Sequence, residues 1–350
     1  MLVRKVEDEL LQRLKTGKYA AGEKLPSIRE MCAEFNCSYV IAFRAVQSLK
    51  NAGCLETFKG SGTFVARDVQ KRLDKKLLAY IFDKPGNTRL DQQDALRYTC
   101  FQRTVRKAGY IDLALQEDEL LPTHDLDNLA GALITLRTPL MEQLTARKIP
   151  CVFITSLGNN CGLPSVTPDF YQGSLDVMHH LIRNGYRRTG VITIDSTEFN
   201  QASFVPRIQA YYDAMKEAGL QAFPPLEWHI RKPETRWKLR EIMESQQPPD
   251  SFFVPNDKLA VEVIQELSKL GFRVPEDIGV AGLENLEFLY GSTVPLTTAT
   301  FDHKVLVEEA CTLLLKMIDR PSEPPASVKV PMTFIQRKSS GGTSVRSTKI

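Results

Sequence analysis

From Leu77 to Leu283 the chain alternates short apolar runs with longer amphipathic stretches, and this alternation constrains its fold more than any other feature. LLAYIF (77–82), YIDLAL (110–115), ALITL (132–136), CVFIT (151–155), GVITI (190–194), a run near 226–230, SFFVP (251–255) and IGVAGL (278–283) read as strands. Helical segments are predicted between them, over roughly 90–108, 139–147, 170–184, 204–218, 235–246 and 258–270. A strand that is apolar along its length is buried on both faces, and a helix between two such strands is the crossover of a parallel unit. The expected fold class is α/β: a two-lobed, doubly wound parallel-sheet domain with a ligand cleft at the C-terminal ends of its strands.

A different pattern precedes Leu77. Leu2, Val6, Leu10, Leu11 and Leu14 recur at helical spacing, and this first helix stops near Gly17. Pro26 and the Ser27-x-x-Glu30 capping box start a second helix that runs through Phe35. After the Asn36-Cys37-Ser38 turn, Ser38 caps a third helix to about Ala52, with Ala42, Ala45, Val46 and Leu49 as its buried stripe. Tyr39, Val40, Phe43, Arg44 and Gln47 form its other face. Cys54–Phe58 and Thr63–Ala66 pair as a hairpin, where Gly60 and Gly62 allow positive φ and close approach to phosphate.

Three helices and a glycine-tipped wing make a small α+β winged helix-turn-helix, a shape that enters a DNA groove. Tyr39, Arg44 and Gln47 are assigned to the groove, and Ser27, Arg29, Ser38, Lys59, Gly60 and Gly62 to positioning on phosphates. Charge supports the division. Residues 1–76 hold 15 Lys/Arg against 9 Asp/Glu, whereas the whole chain carries only +3, so a basic head precedes a slightly acidic body.

The 350 residues suffice for two or three domains, and 43% hydrophobic content supports packed cores. Seven cysteines without a CxxC pair, and five scattered histidines, suggest neither a disulfide framework nor a metal site. His179 and His180 are expected to be exposed on the 170–184 helix. No phosphate loop, zinc-protease helix or nucleophile elbow is present, so no catalytic residue and no cofactor is assigned. The charged N-terminus does not resemble a signal peptide, and no apolar run nears the ~18 residues that span a bilayer. A cytoplasmic protein without a membrane partner is expected.

The segments LPSIREMCA, NCSYVIAFRA and GSGTFV resemble the signatures of the GntR-family DNA-binding domain, with Tyr39 and Val40-Ile41 departing from its usual residues. Most of residues 77–337 is similar to the effector domain of the LacI/GalR family, above all Asn256-Asp257 through Val274-Pro275-Glu276-Asp277-Ile278-Gly279-Val280. The resemblance implies a head at 1–68 and a ligand-binding domain at 77–337, and the charged stretch at 69–76 is expected to be a linker and the tail at 338–350 to be mobile. It also implies an N-lobe of 77–186 plus 301–320 and a C-lobe of 187–300 plus 324–337.

The same resemblance carries over candidate ligand residues. Arg207 matches the arginine that forks onto sugar hydroxyls, Asn256 a polar partner, and Glu284, within GLEN, the carboxylate of the usual G-(F/Y)-D-D. Thr155 and Phe170 match cleft-facing positions, with Phe170 suited to stack on a sugar ring, and Asp83, just past the first strand, is a further candidate acceptor. The implied function is that of a ligand-responsive transcription regulator, a homodimeric repressor released from operator DNA by a monosaccharide-like effector. A cleft for a non-sugar ligand, or for none, is the alternative.

Overall fold

A computed structural model describes residues 2–51, 53–58, 60–67, 69, 77–82, 92–116, 126, 129–135, 140–154, 162–194, 204–228, 234–285 and 293–341.

The head contains α1 (Leu2–Lys15), α2 (Ile28–Glu34), α3 (Tyr39–Asn51) and the antiparallel pair β1 (Leu55–Phe58) and β2 (Gly62–Val65). The capping box forms: Glu30 N donates to Ser27 Oγ at 3.3 Å, and Ser27 N donates to Glu30 Oε2 at 2.6 Å. Val6, Leu10 and Leu14 of α1 bury against Met31 of α2, the Ala42–Leu49 stripe of α3, and Leu55 and Val65 of the hairpin. Gly62 takes φ 115°, a backbone conformation that strains any L side chain and favours glycine. Val69 is fully buried in the same core, so the head extends past 68 and the linker does not begin at 69 as expected. Residues 70–76 lie outside the described residues.

The α/β body holds a six-stranded sheet in the order β13-β7-β6-β5-β3-β4 and a four-stranded sheet in the order β11-β10-β8-β9. The first sheet uses β3 (Leu77–Phe82), β4 (Ile111–Gln116), β5 (Leu129–Ile134), β6 (Cys151–Ile154), β7 (Ser165–Pro168) and β13 (Val328–Val330). Its β5–β6, β6–β7 and β7–β13 pairings are parallel. The second sheet uses β8 (Thr189–Ile194), β9 (Leu226–Trp228), β10 (Ser251–Phe253) and β11 (Gly279–Ala281), also in parallel. A small antiparallel pair joins β12 (Thr298–Thr300) to β14 (Thr333–Ile335).

The helices are α4 (Gln92–Lys107), α5 (Leu140–Ala146), α6 (Phe170–Arg183), α7 (Val205–Glu217), α8 (Glu234–Met243), α9 (Asp257–Lys269) and α10 (His303–Asp319). Apolar β8, β10 and β11 bury against α9, whose Leu259, Val263, Ile264 and Leu267 supply one stripe of the second core.

Three expected boundaries change. Helix α6 packs on α7 and against β10, β11, β12 and β14, so it belongs with the second lobe rather than with 77–186. Strand β13 extends the first sheet, which splits the 324–337 segment expected in the C-lobe. The expected mobile tail begins too early, because Lys338–Ser340 form a 3-10 turn with Ser339 and Ser340 fully buried. Residues 342–350 lie outside the described residues.

Candidate functional site

Four second-lobe elements converge on the Arg207 side chain. Pro206 sits in the first turn of α7, and Arg207 follows it with only 1% of its surface exposed. The guanidinium lies 3.9 Å from the Phe170 ring centroid and 4.9 Å from that of Phe204, so both aromatic groups supply cation–π contacts. Its Nη2 donates to Glu284 Oε1 at 2.8 Å, and Nη1 donates to the Pro255 carbonyl. The buried Nε has no hydrogen-bond partner among the described residues.

Asn256 completes the cluster. Its Nδ2 donates to Glu284 Oε2 at 3.1 Å, while its Oδ1 caps α9 by accepting from Leu259 N at 3.0 Å. Asn256 therefore caps the helix and bonds the Glu284 carboxylate at the same time. Beside it, buried Asp257 accepts from Thr298 Oγ1 at 3.0 Å through both carboxylate oxygens.

Glu284 and Asn285 both adopt left-handed backbone, at φ 102° and 62°. Non-glycine residues there store strain that neighbouring contacts must hold. Glu284 N donates to Ala299 O at 2.7 Å, and Arg337 Nη2 donates to Asn285 Oδ1 at 2.7 Å. The turn thus directs a carboxylate at Arg207 and Asn256 from a fixed backbone.

The structure brings together Arg207, Asn256, Glu284 and Phe170 of the residues anticipated from sequence. Phe170 is nearly buried at 5% exposure and gives one ring face to Arg207 and its edge contact to Phe301, whose centroid is 6.3 Å away. It meets the guanidinium, where sequence reasoning expected a sugar ring. Asp83 and Thr155 lie outside the described residues. Phe204, the Pro255 carbonyl and Arg337 were missed. Phe204 carries only the signal of an aromatic residue just before a Pro-started helix, and Arg337 carries none, being far from its partners in sequence.

His180 departs from expectation. It is buried, and its Nε2 lies 2.8 Å from Ser340 Oγ and 3.1 Å from Asn184 Nδ2. Burial, reinforced by Arg183, lowers its pKa to about 4. His179, one residue earlier on the helix, points outward and meets Glu217 at 3.1 Å.

In the head, Arg29, Ser38, Tyr39 and Arg44 are exposed, Gln47 is half-buried, and Ser27 serves as the α2 cap. Gly60 takes φ 80° with open space around it, so the wing tip is free for close backbone approach. Lys59 lies outside the described residues. Tyr39 and Phe43 stack on the outer face of α3, with centroids 6.1 Å apart and planes 11° from parallel.

Bacterial regulatory proteins of the gntR family match over residues 2–65, and the periplasmic binding protein-like domain matches over residues 178–340. The chain joins a gntR-family head to a periplasmic-binding-protein-like domain. The gntR match covers all three head helices and both wing strands, and the second match covers Arg207, Asn256 and Glu284.

This two-part chain is 26% identical over 350 residues to the arabinose metabolism transcriptional repressor of Geobacillus stearothermophilus, covering 91% of each chain. It is 24% identical over 223 residues to the HTH-type transcriptional repressor CytR of Escherichia coli (strain K12), covering 62% of this chain and 61% of CytR. A LacI family transcriptional regulator from Enterococcus faecium, solved with bound ribose, superposes with a TM-score of 0.60 at 18% identity, over 76% of this chain and 99% of that one. The last likeness is one of fold.

Among the described residues no helix is long and apolar enough to cross a membrane, and no group of three or more His, Cys, Asp or Glu is placed to hold a metal ion.

Proposed function

We propose that this protein is a transcription repressor whose gntR-family head holds operator DNA and whose α/β domain takes a small polyhydroxylated effector at the Arg207–Asn256–Glu284 cluster. The observation that carries this reading is the buried Arg207 guanidinium, packed against two aromatic rings with an unpartnered Nε. An orphaned buried N–H costs ~1–3 kcal/mol, and a ligand hydroxyl oxygen would satisfy it. Glu284 and Asn256 add the acceptor and the mixed donor–acceptor that a polyol needs.

The relatives support the regulatory part, being transcriptional repressors, and the fold neighbour with bound ribose supports the ligand class. A cytoplasmic homodimer presenting two heads to a pseudo-palindromic operator follows from this reading. Effector binding then changes the freedom of the heads. A coupling of ~1–3 kcal/mol gives a 5- to 150-fold change in operator affinity.

A second reading is favoured by one observation: Glu284 and Pro255 already occupy both terminal nitrogens of Arg207. A guanidinium whose terminal nitrogens are both engaged from within suits a ligand that is not a sugar, or a cleft without one. Thermal unfolding of the full chain against monosaccharides, sugar acids and phosphosugars separates the two. A ligand binding only the native state adds ~2.7 kcal/mol at a hundredfold excess over its dissociation constant. A rise in Tm with a sugar, abolished by Arg207→Ala, supports the first reading, and no rise with any of them supports the second.

A further inference from the structure

The outer face of α3 is apolar where it leaves the head. Tyr39 is 56% exposed, Val40 56% and Phe43 43%. The head's own core does not need them, because Ala42, Ala45, Val46 and Leu49 on the opposite stripe are fully or almost fully buried. The Tyr39 and Phe43 rings are stacked on each other, which fixes a flat surface in the first turn and a half of the helix. Arg44 is exposed on the next residue, and Ser38 immediately precedes the helix.

Major-groove readout ordinarily uses hydrogen-bonding side chains on base edges, and the N-terminal residues of a recognition helix approach those edges. The groove floor displays one apolar group, the C5-methyl of thymine. We propose that Tyr39, Val40 and Phe43 form an apolar reading surface for thymine methyl groups. The surface is continuous with Ser38 and Arg44, which approach the phosphates and base edges of the same duplex, and this favours DNA as its occupant over a protein. The proposal rests on residues 2–65 acting as the operator-binding head. It assigns to this chain a hydrophobic mode of base selection, carried by the positions where its recognition helix is least polar.

The test begins with full-length protein enriching binding sites from a pool of random-sequence duplexes. The best-bound duplex is then remade with dU replacing dT, one position at a time, which deletes a methyl and leaves every hydrogen-bonding edge in place. Dissociation constants are read by fluorescence anisotropy at fixed salt. Each contacted thymine is expected to weaken binding roughly fourfold, the factor for ~0.8 kcal/mol per methyl-sized group. Phe43→Ala and Val40→Ser should each lose the dT-over-dU preference at the thymines they meet while keeping the wild-type salt slope, since they touch no phosphate.

Equal wild-type affinity for dT and dU duplexes overturns the proposal and leaves operator binding standing. Enrichment of no duplex at all overturns both. Should Phe43→Ala turn a sedimenting dimer into a monomer while dT/dU discrimination persists, the face is a contact between copies of this chain, and methyl reading is overturned.

Discussion

Arg337 holds Asn285: its Nη2 donates to the Asn285 side-chain oxygen at 2.7 Å, while Nη1 donates to Leu296 O at 2.7 Å. Asn285 follows Glu284 in the left-handed turn, so this fork anchors the backbone that aims the Glu284 carboxylate. A lysine provides a point charge and cannot span both acceptors. Arg337→Lys is expected to lower stability by about 1.5–3 kcal/mol, the range for a charge-assisted hydrogen bond, and to speed amide exchange at Glu284 and Asn285 beyond the global change. Exchange that rises uniformly across the second lobe would mean Arg337 only packs.

Removing Glu284 tests how closed the Arg207 cluster is. Glu284→Ala leaves a buried cation beside two aromatic rings and should cost about 3–5 kcal/mol in urea unfolding. Glu284→Gln retains a carbonyl acceptor for Arg207 and should cost less. A loss below about 1 kcal/mol for the alanine variant would show that water reaches the guanidinium.

His180 gives the second lobe a pH dependence of definite sign. Its imidazole titrates near 4 in the folded chain against 6.5 when exposed. As pH falls from 6.5 toward 4, the unfolded chain takes up a proton that the folded one does not. Stability therefore drops through that window, by up to about 1.4 kcal/mol per pH unit, and this contribution is flat above it. His180→Gln should remove that slope. Parallel stability–pH curves for the two proteins would place the titration elsewhere.

Gly282 precedes the Leu283-Glu284 turn and admits no side chain. A Cβ there would lie 2.0 Å from Asp257 Oδ1 and 2.9 Å from Leu296 Cδ2, and Asp257 is pinned by Thr298. Gly282→Ala is expected to destabilise by at least about 1–3 kcal/mol through overpacking. A circular-dichroism melt indistinguishable from wild type would show that Asp257 can move aside.

The long apolar strands were legible because each announces itself locally: LLAYIF became β3, CVFI β6 and TGVITI β8. The strands that escaped notice are only three or four residues long and carry polar side chains. Ser165–Pro168, Thr298–Thr300 and Val328–Val330 pair through backbone with distant segments, and no sequence window records that. The same physics explains the cluster. Arg207, Asn256, Glu284 and Phe170 were named through family resemblance, but the contact of Phe170 with the guanidinium and the parts played by Phe204 and Arg337 depend on tertiary neighbours.

His180 and the serines misled for one shared reason. Polar residues at a helix end and in a serine–glycine segment read as solvated when taken alone. Here they satisfy one another: Ser340 Oγ meets His180 Nε2 at 2.8 Å and Thr297 Oγ1 at 2.6 Å, and Ser339 Oγ donates to Val280 O at 2.6 Å. Buried polar groups that find partners are stable, and those partners lie tens to hundreds of residues away in the chain.

That buried turn at Lys338–Ser340 also sets an order of events during synthesis. Strand β11, Thr297 and His180 leave the ribosome long before the hydroxyls that complete their hydrogen bonds. The head owes nothing to this turn for its own core, whereas the second lobe lacks these hydrogen bonds until residues 338–341 have been made. The N-terminal domain can thus be complete while the lobe that carries the Arg207 cluster still lacks its last hydrogen bonds.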